Sequence, residues 1–255
     1  MKRRGLSIIF GLVLATTMVA TTPLSFVLDR AGLREAGFNW QQAEGTVFKG
    51  KLTGFSYGFQ PFGTVELDFR WRDVLTGRIG YAVDIDGSAI DGSAIVALGR
   101  TSAALSDMRG AARIDQLRYF VGDVRNAGGR IEIADANIEF DTSQLECTSA
   151  SGMVSSDTLS RFASRLANQS ASELSGNIAC ESGALAISLE GLINQNDPVM
   201  LDGVLSAKDR SRLEVKIRTL DAALAAGLGL YGFEQNGDDY IIRQEVVTIG
   251  GLING

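Results

Sequence analysis

The 255-residue chain contains no histidine. That excludes a Ser-His-Asp triad, a Cys-His pair and any histidine-ligated zinc or haem centre. It has only two cysteines, so a four-cysteine zinc or iron–sulfur site is excluded as well. Proline is scarce, with 3 residues against 30 glycines. A glycine excess without proline and without a G-X-Y period points to many tight turns between strands, not to a linker or a collagen. Cationic charge is also short: Lys plus Arg is 24 and Asp plus Glu is 30. Three of those bases, Lys2, Arg3 and Arg4, stand at the extreme N-terminus, leaving 21 bases against 30 acids in the remainder. A nucleic-acid partner requires a cationic field to displace counterions, and this field has the opposite sign. The apolar share, 45%, and the charged share, 21%, describe a globular chain.

The basic tip Lys2-Arg3-Arg4 is followed by an uncharged stretch from Gly5 to Leu28. As a helix this stretch would be about 36 Å long, enough for a hydrocarbon core of ~30 Å. Its apolar residues are Leu6, Ile8, Ile9, Phe10, Leu12, Val13, Leu14, Val19, Leu24, Phe26, Val27 and Leu28. A secretory signal has a shorter core and a small-x-small cleavage site, whereas the best cut here, after Ala20, has Met18 at the −3 position. An uncleaved single-pass anchor is therefore expected over a cleaved signal. With Lys2, Arg3 and Arg4 held in the cytoplasm by the positive-inside rule, the remaining chain is expected on the far side. The expected organisation is a basic tip and anchor over 1–28, a connector over 29–44 and a β-rich domain over 45–255.

Strand signals dominate the domain. Val65, Leu67, Phe69 and Trp71 alternate with charged residues, and Ile79, Tyr81, Val83 and Ile85 alternate with small or acidic ones. Leu185-Ile187-Leu189 and Leu213-Val215-Ile217 repeat the pattern. Period two means one packed face. Ile131 and Ile133 are in one phase and Ile138 and Phe140 in the other, which predicts a bulge or turn near Asp135. Leu159, Phe162, Ala163 and Leu166 have helical spacing, with Ser156 or Asp157 as the cap. A second helix is predicted from near Thr219 through Leu224, and a third around Leu117–Val124. The aromatic stretch Phe55, Tyr57, Phe59 and Phe62 reads as core before interface. The expected fold class is strand-rich α+β: a transmembrane helix, then a mostly antiparallel sheet built from hairpins, with two or three short helices.

Few motifs carry chemistry. Gly227-Leu-Gly-Leu-Tyr-Gly232 satisfies G-x-G-x-x-G, but it follows an alanine-rich helical stretch. A dinucleotide fingerprint must follow a strand and open a helix. Asp84, Asp86 and Asp91 lack the spacing of a calcium loop, and Asp238-Asp239 reads as a solvated turn. No Ser-x-x-Lys occurs, so a serine nucleophile would lack a base. No enzyme, cofactor or metal site is indicated. Outside the cytoplasm Cys147 and Cys180 are expected to form a disulfide, the alternative being two buried thiols.

A second set of residues carries a resemblance. Gly45-Thr46-Val47-Phe48-Lys49-Gly50 is followed by a strand ending in Trp71 and then by Leu75-Thr76-Gly77. Cys147 and Cys180 then flank a capped helix. In this order the residues resemble protein N of the bacterial type II secretion system, whose motifs usually read G-T-[VL]-W-x-G and W-x-[LV]-x(3)-L-x-G. Phe48 stands where that family has Trp, and Asp73 where an apolar or prolyl residue is expected. The resemblance implies a non-enzymatic inner-membrane subunit with its domain in the periplasm. It also implies contacts with other secretion components, and leaves a homo-oligomer open. A more distant likeness to AsmA-like proteins implies the alternative, a lipid-binding or lipid-transfer module. A hydrolase is disfavoured by the missing histidine.

Overall fold

A computed structural model describes residues 21–117, 128–167, 169–206, 208 and 211–246. The residues Leu6–Val19 of the expected anchor, the tip Lys2-Arg3-Arg4 and most of the third predicted helix lie outside the described residues. Among the described residues, no helix is long and apolar enough to cross a membrane.

The strands are β1 (Phe38–Asn39), β2 (Gln42–Gly45), β3 (Lys49–Tyr57), β4 (Gln60–Arg70), β5 (Ile79–Asp86), β6 (Ile90–Leu98), β7 (Ser102–Arg113), β8 (Arg130–Asp141), β9 (Glu146–Ser156), β10 (Leu174–Glu181), β11 (Ala184–Ile193), β12 (Asp197–Leu205), β13 (Ser211–Arg218), β14 (Glu234–Asn236) and β15 (Asp239–Val246). All fifteen belong to one sheet, with β3 to β13 in chain order, then β15 and β14. Strands β1 and β2 both pair with β3. Every pairing is antiparallel, so the sheet is a long meander, and among the described residues it carries four short α-helices: α1 (Leu24–Arg30), α2 (Trp71–Val74), α3 (Thr158–Ala167) and α4 (Ala222–Leu230).

Period-two patterning becomes one continuous apolar face because the register keeps its phase from strand to strand. Across β3 to β13 and on to β15 a single row runs Leu52, Val65, Ile85, Gly92, Gly110, Ile133, Val154, Gly176, Leu189, Leu201, Val215 and Ile242. The neighbouring row begins Lys51, Glu66, Asp84, Ser93 and Arg109 and belongs to the polar face. The predicted phase flip in 130–140 is a bulge inside β8. Its register slips between Ala134 and Asn137, and Asp135 adopts φ 52°. The extra residue returns Ile138 and Phe140 to the same face as Ile131 and Ile133.

The apolar face is sealed at both ends. From β8 to β15, helices α3 and α4 cover it with Leu159, Ala163, Leu224 and Leu228, packed on Ile178, Leu189, Ile193, Val199 and Ile217. At the other end Leu24 of α1 joins Trp40, Leu52 and Val65 in a smaller core. Helix α3 begins where predicted, with Ser156 Oγ accepting the Thr158 amide at 3.2 Å. Helix α4 begins three residues later than its predicted start near Thr219, because Asp221 is the residue whose carboxylate accepts from the amides of Ala223 and Leu224. The G-x-G-x-x-G glycines lie in and just after α4, the helical context read from the sequence. Trp71 is not the last residue of a strand: β4 stops at Arg70 and Trp71 opens α2. Phe59 is not core either. It occupies the β3–β4 hairpin tip and is exposed, while Phe55 and Phe62 pack together with centroids 5.8 Å apart.

Cys147 and Cys180 form a disulfide, with Cα atoms 5.5 Å apart. The β9–β10 ladder ends at Asn177↔Met153. The bridge holds the two strands together beyond that last pair, alongside one hydrogen bond from the Cys147 amide to the Gly183 carbonyl at 2.8 Å.

Candidate functional site

The two halves of the glycine–aromatic motif are 20 or more residues apart in the chain, yet they meet at one corner of the sheet. The first half is the turn between β2 and β3. Gly45 and Gly50 face each other across it, and the Thr46 amide donates to the Lys49 carbonyl at 2.9 Å. Thr46 Oγ1 accepts the Phe48 amide at 3.3 Å, which tightens the turn from inside. Gly45 has φ +83°, a conformation L side chains rarely adopt, and a Cβ there would strike the Lys49 carbonyl. Gly50 is required for space: a Cβ would overlap Leu24 Cδ2 and press on the Thr46 carbonyl.

The second half is α2 and its exit. The Gly77 amide donates to the Val74 carbonyl and the Arg78 amide to the Asp73 carbonyl, both at 3.0 Å. Gly77, at φ +75°, ends the helical turn. Asp73 has a local reason: its carboxylate lies over buried Gly80, where a Cβ would collide with it, and Arg70 Nε sits 3.2 Å away.

Aromatic rings join the halves. Phe48 stacks on Trp71 with centroids 4.8 Å apart and interplanar angle 25°. Phe69 meets Phe48, Trp71 and Tyr81 edge-on at 5.2, 4.8 and 5.3 Å. Offset and edge contacts of this kind contribute about 0.5–1.5 kcal/mol each beyond area burial. Burial raises the pKa of the Tyr81 phenol. The cluster is half-open: Trp71 is 62% and Leu75 89% exposed. Val47 lies beside it, half-buried.

Of the expected anchor residues, Leu24, Phe26, Val27 and Leu28 are described. All lie in α1, and Leu24 is only 5% exposed, packed in the protein core over Gly50. Phe26 and Val27 are exposed. Pro23 bridges to Thr46, so the chain enters the domain at the same aromatic corner. The stretch 29–44 holds β1 and β2 and covers the outer edge of β3. Trp40 closes that core beneath the Arg34 guanidinium, 4.3 Å from the ring centroid.

The polar face carries a shallow concavity of about 790 Å3, lined by Lys49, Lys51, Glu66, Asp84, Ser93 and Arg109 among others. Its cations are each paired with a carboxylate, Lys51 with Glu66 at 2.8 Å, Lys49 with Asp68 at 3.6 Å, and Arg109 with Asp135. The Lys51–Glu66 hydrogen bond raises the lysine pKa and lowers that of the carboxylate. With each cation paired, the concavity concentrates no positive charge for an anion. Asp239, read from sequence as a solvated turn residue, instead bridges Arg218 and Lys216 across β13–β15. These two cations pull its pKa down to about 2. Sequence pattern did not reveal that pairing, because it depends on strand register.

A family model described as Type II secretion system (T2SS), protein N matches residues 36–243. The match takes in β1 and runs to within three residues of the end of β15. Neither the curated proteins nor the solved structures returned a match.

Proposed function

The chain belongs to the protein N family of the type II secretion system, and from that premise we propose that it is a non-enzymatic inner-membrane subunit of the machine. In this reading residues 1–28 include the membrane anchor, the β-sheet domain stands in the periplasm, and the chain supports export of folded proteins across the outer membrane. The observation that carries the reading is the convergence of the family motif. Gly45, Thr46, Phe48, Gly50, Trp71 and Gly77 build a turn, a helix stop and a ring stack, and the one hydroxyl among them, Thr46 Oγ1, is engaged by the Phe48 amide. What they shape is a surface for contact. A sheet edge offers a second contact: β14 pairs with β15 only as far as Ile241, so beyond it Ile242–Val246 has no outer partner among the described residues. Partner strands complete edges of that kind.

Deleting the gene should stop appearance of exported proteins outside the cell while leaving them folded in the periplasm. Restoring the full chain should recover export, and unimpaired export in the deletion strain refutes the reading. A phosphatase reporter fused at the C-terminus should be active, and an inactive one refutes the topology. A lipid-binding reading has one observation in its favour: Val83, Ile85, Val96 and Leu105 on the apolar face are only half-buried between the two cores. Stoichiometric lipid in mass spectra of the detergent-exchanged chain supports that second reading, and its absence removes it.

A further inference from the structure

In an antiparallel meander every second connection lies at the same end of the sheet. Here that end holds the β2–β3 turn, α2 with its exit 75–78, and the loops 99–101 and 142–145. It is also where Pro23 bridges to Thr46, so the uncharged run ending at Leu28 enters the domain there.

The same end collects exposed apolar side chains. Trp71, Val74 and Leu75 come from α2 and its exit, Ile79 and Leu98 are paired across β5–β6, and Leu145 follows β8. Ile79 is 57% and Leu98 52% exposed. From β4 to β9 the row extends about 24 Å at the usual strand spacing. Cations stand among these residues. Arg72 and Arg100 are exposed, while Arg78, beside Gly99, is already paired with Glu139 at 3.0 Å. The only acid in 71–78 or 99–101 is Asp73, already held by Arg70. At the opposite end the hairpin loops 58–59, 87–89 and 194–196 carry no charge, while the longer connections that hold α3 and α4 carry both signs, among them Asp157, Arg161 and Asp221. A domain with an acidic excess has thus placed exposed arginines and bare hydrophobic side chains, with a tryptophan among them, at the end where the chain enters through Pro23. Tryptophan favours the headgroup level of a bilayer, and arginines are drawn to anionic headgroups.

We propose that this rim is a membrane-docking surface: Trp71, Leu75, Ile79 and Leu98 enter the interfacial layer of the anionic bilayer that the chain is anchored in, with Arg72 and Arg100 on the headgroups. The proposal rests on the anchored reading above and adds an orientation to it. The domain stands with its aromatic corner on the lipid and its far hairpins pointing away, so β15 and the polar face remain free for protein partners. Phe48 stacked behind Trp71 fixes the direction of the indole.

The chain has two tryptophans, one buried at Trp40 and one exposed at Trp71, and this supplies the test. The full chain is reconstituted into phosphatidylethanolamine–phosphatidylglycerol vesicles with and without phospholipid brominated near the top of the acyl chain. Emission of the native chain is compared with that of Trp71→Phe, in which Trp40 alone reports, so no core substitution is needed. The expected result is that the chain floats with the vesicles, the Trp71 contribution loses most of its intensity in brominated lipid, and Trp40 is unchanged. Flotation without Trp71 quenching overturns the docking surface and leaves the anchor standing. Failure to float overturns both. Flotation without quenching, but with Trp71 emission that reddens on dilution, assigns the rim to a second copy of the chain and also overturns the proposal.

Discussion

Leu24→Ala and Gly50→Ala should each destabilise the domain, and together they should destabilise it by much less than their sum. Leu24 is buried against Trp40, Leu52 and Val65. Truncating a buried leucine costs about 2–5 kcal/mol, and a small core at the end of a sheet belongs at the lower end, about 2–3 kcal/mol. Gly50 has no positive φ to relieve, so alanine there brings no backbone strain, only a methyl group where Leu24 Cδ2 already sits. Overpacking of that kind costs about 1–3 kcal/mol. In the Leu24→Ala background the methyl enters vacated space, leaving only the tight approach to the Thr46 carbonyl at 3.2 Å. The coupling should therefore be about 1–2 kcal/mol, within the range for residues in direct contact. Urea unfolding of the full chain in detergent, followed by tryptophan emission, measures all four corners of the cycle. Phe26→Ala, at an exposed site on the same helix, is the control and should change little. Additivity within about 0.5 kcal/mol would mean that Leu24 is not seated on Gly50, and the packing of α1 onto the sheet would be refuted.

Replacing both Cys147 and Cys180 by serine should lower stability by about 3–4 kcal/mol in the chain-entropy treatment of a 33-residue separation; a urea midpoint unchanged from the native chain would contradict it, as would alkylation of both thiols without reductant. Asp221→Ala removes the carboxylate that accepts from the Ala223 amide at 2.8 Å and the Leu224 amide at 3.2 Å. It should cost about 1 kcal/mol by the same denaturation, and no loss would show that α4 is held by packing alone. Asp239 has its folded pKa depressed to about 2 by Arg218 and Lys216. Its contribution is therefore full above the ordinary carboxylate value and is lost as pH falls through about 2. Urea midpoints measured across that acid window should fall more steeply for the native chain than for Asp239→Asn, and parallel curves would refute the pairing.

Much of the fold was legible because local pattern and tertiary demand agree. Residues 79–86 and 213–217 alternate with period two and are strands, and 159–166 has helical spacing and is a helix. The slip near Asp135 was visible because a bulge is the one local event that lets a phase flip return to the same face. The misses share a different cause. Phe59 looks like its aromatic neighbours, but it falls at a hairpin tip, and composition does not record where a chain turns. Leu24 belongs to an apolar run that reads as lipid-facing, yet it packs on Gly50, a partner 26 positions away that no periodicity could supply. Ile79 looked like an inward strand residue, and only the end of the sheet leaves it bare.

By itself the sequence excluded the chemistries that need histidine or four cysteines, displayed the alternation of the strands, and carried the likeness to its family. These follow from residue types and short-range spacing, which need no partner in space. The tertiary structure decided that the rows of twelve strands share one phase, that two distant motif halves stack as Phe48 on Trp71, and that Asp239 lies between two cations. Each of those depends on strand register. Register is chosen by the whole sheet burying one continuous face, a cooperative outcome that no local window of residues contains.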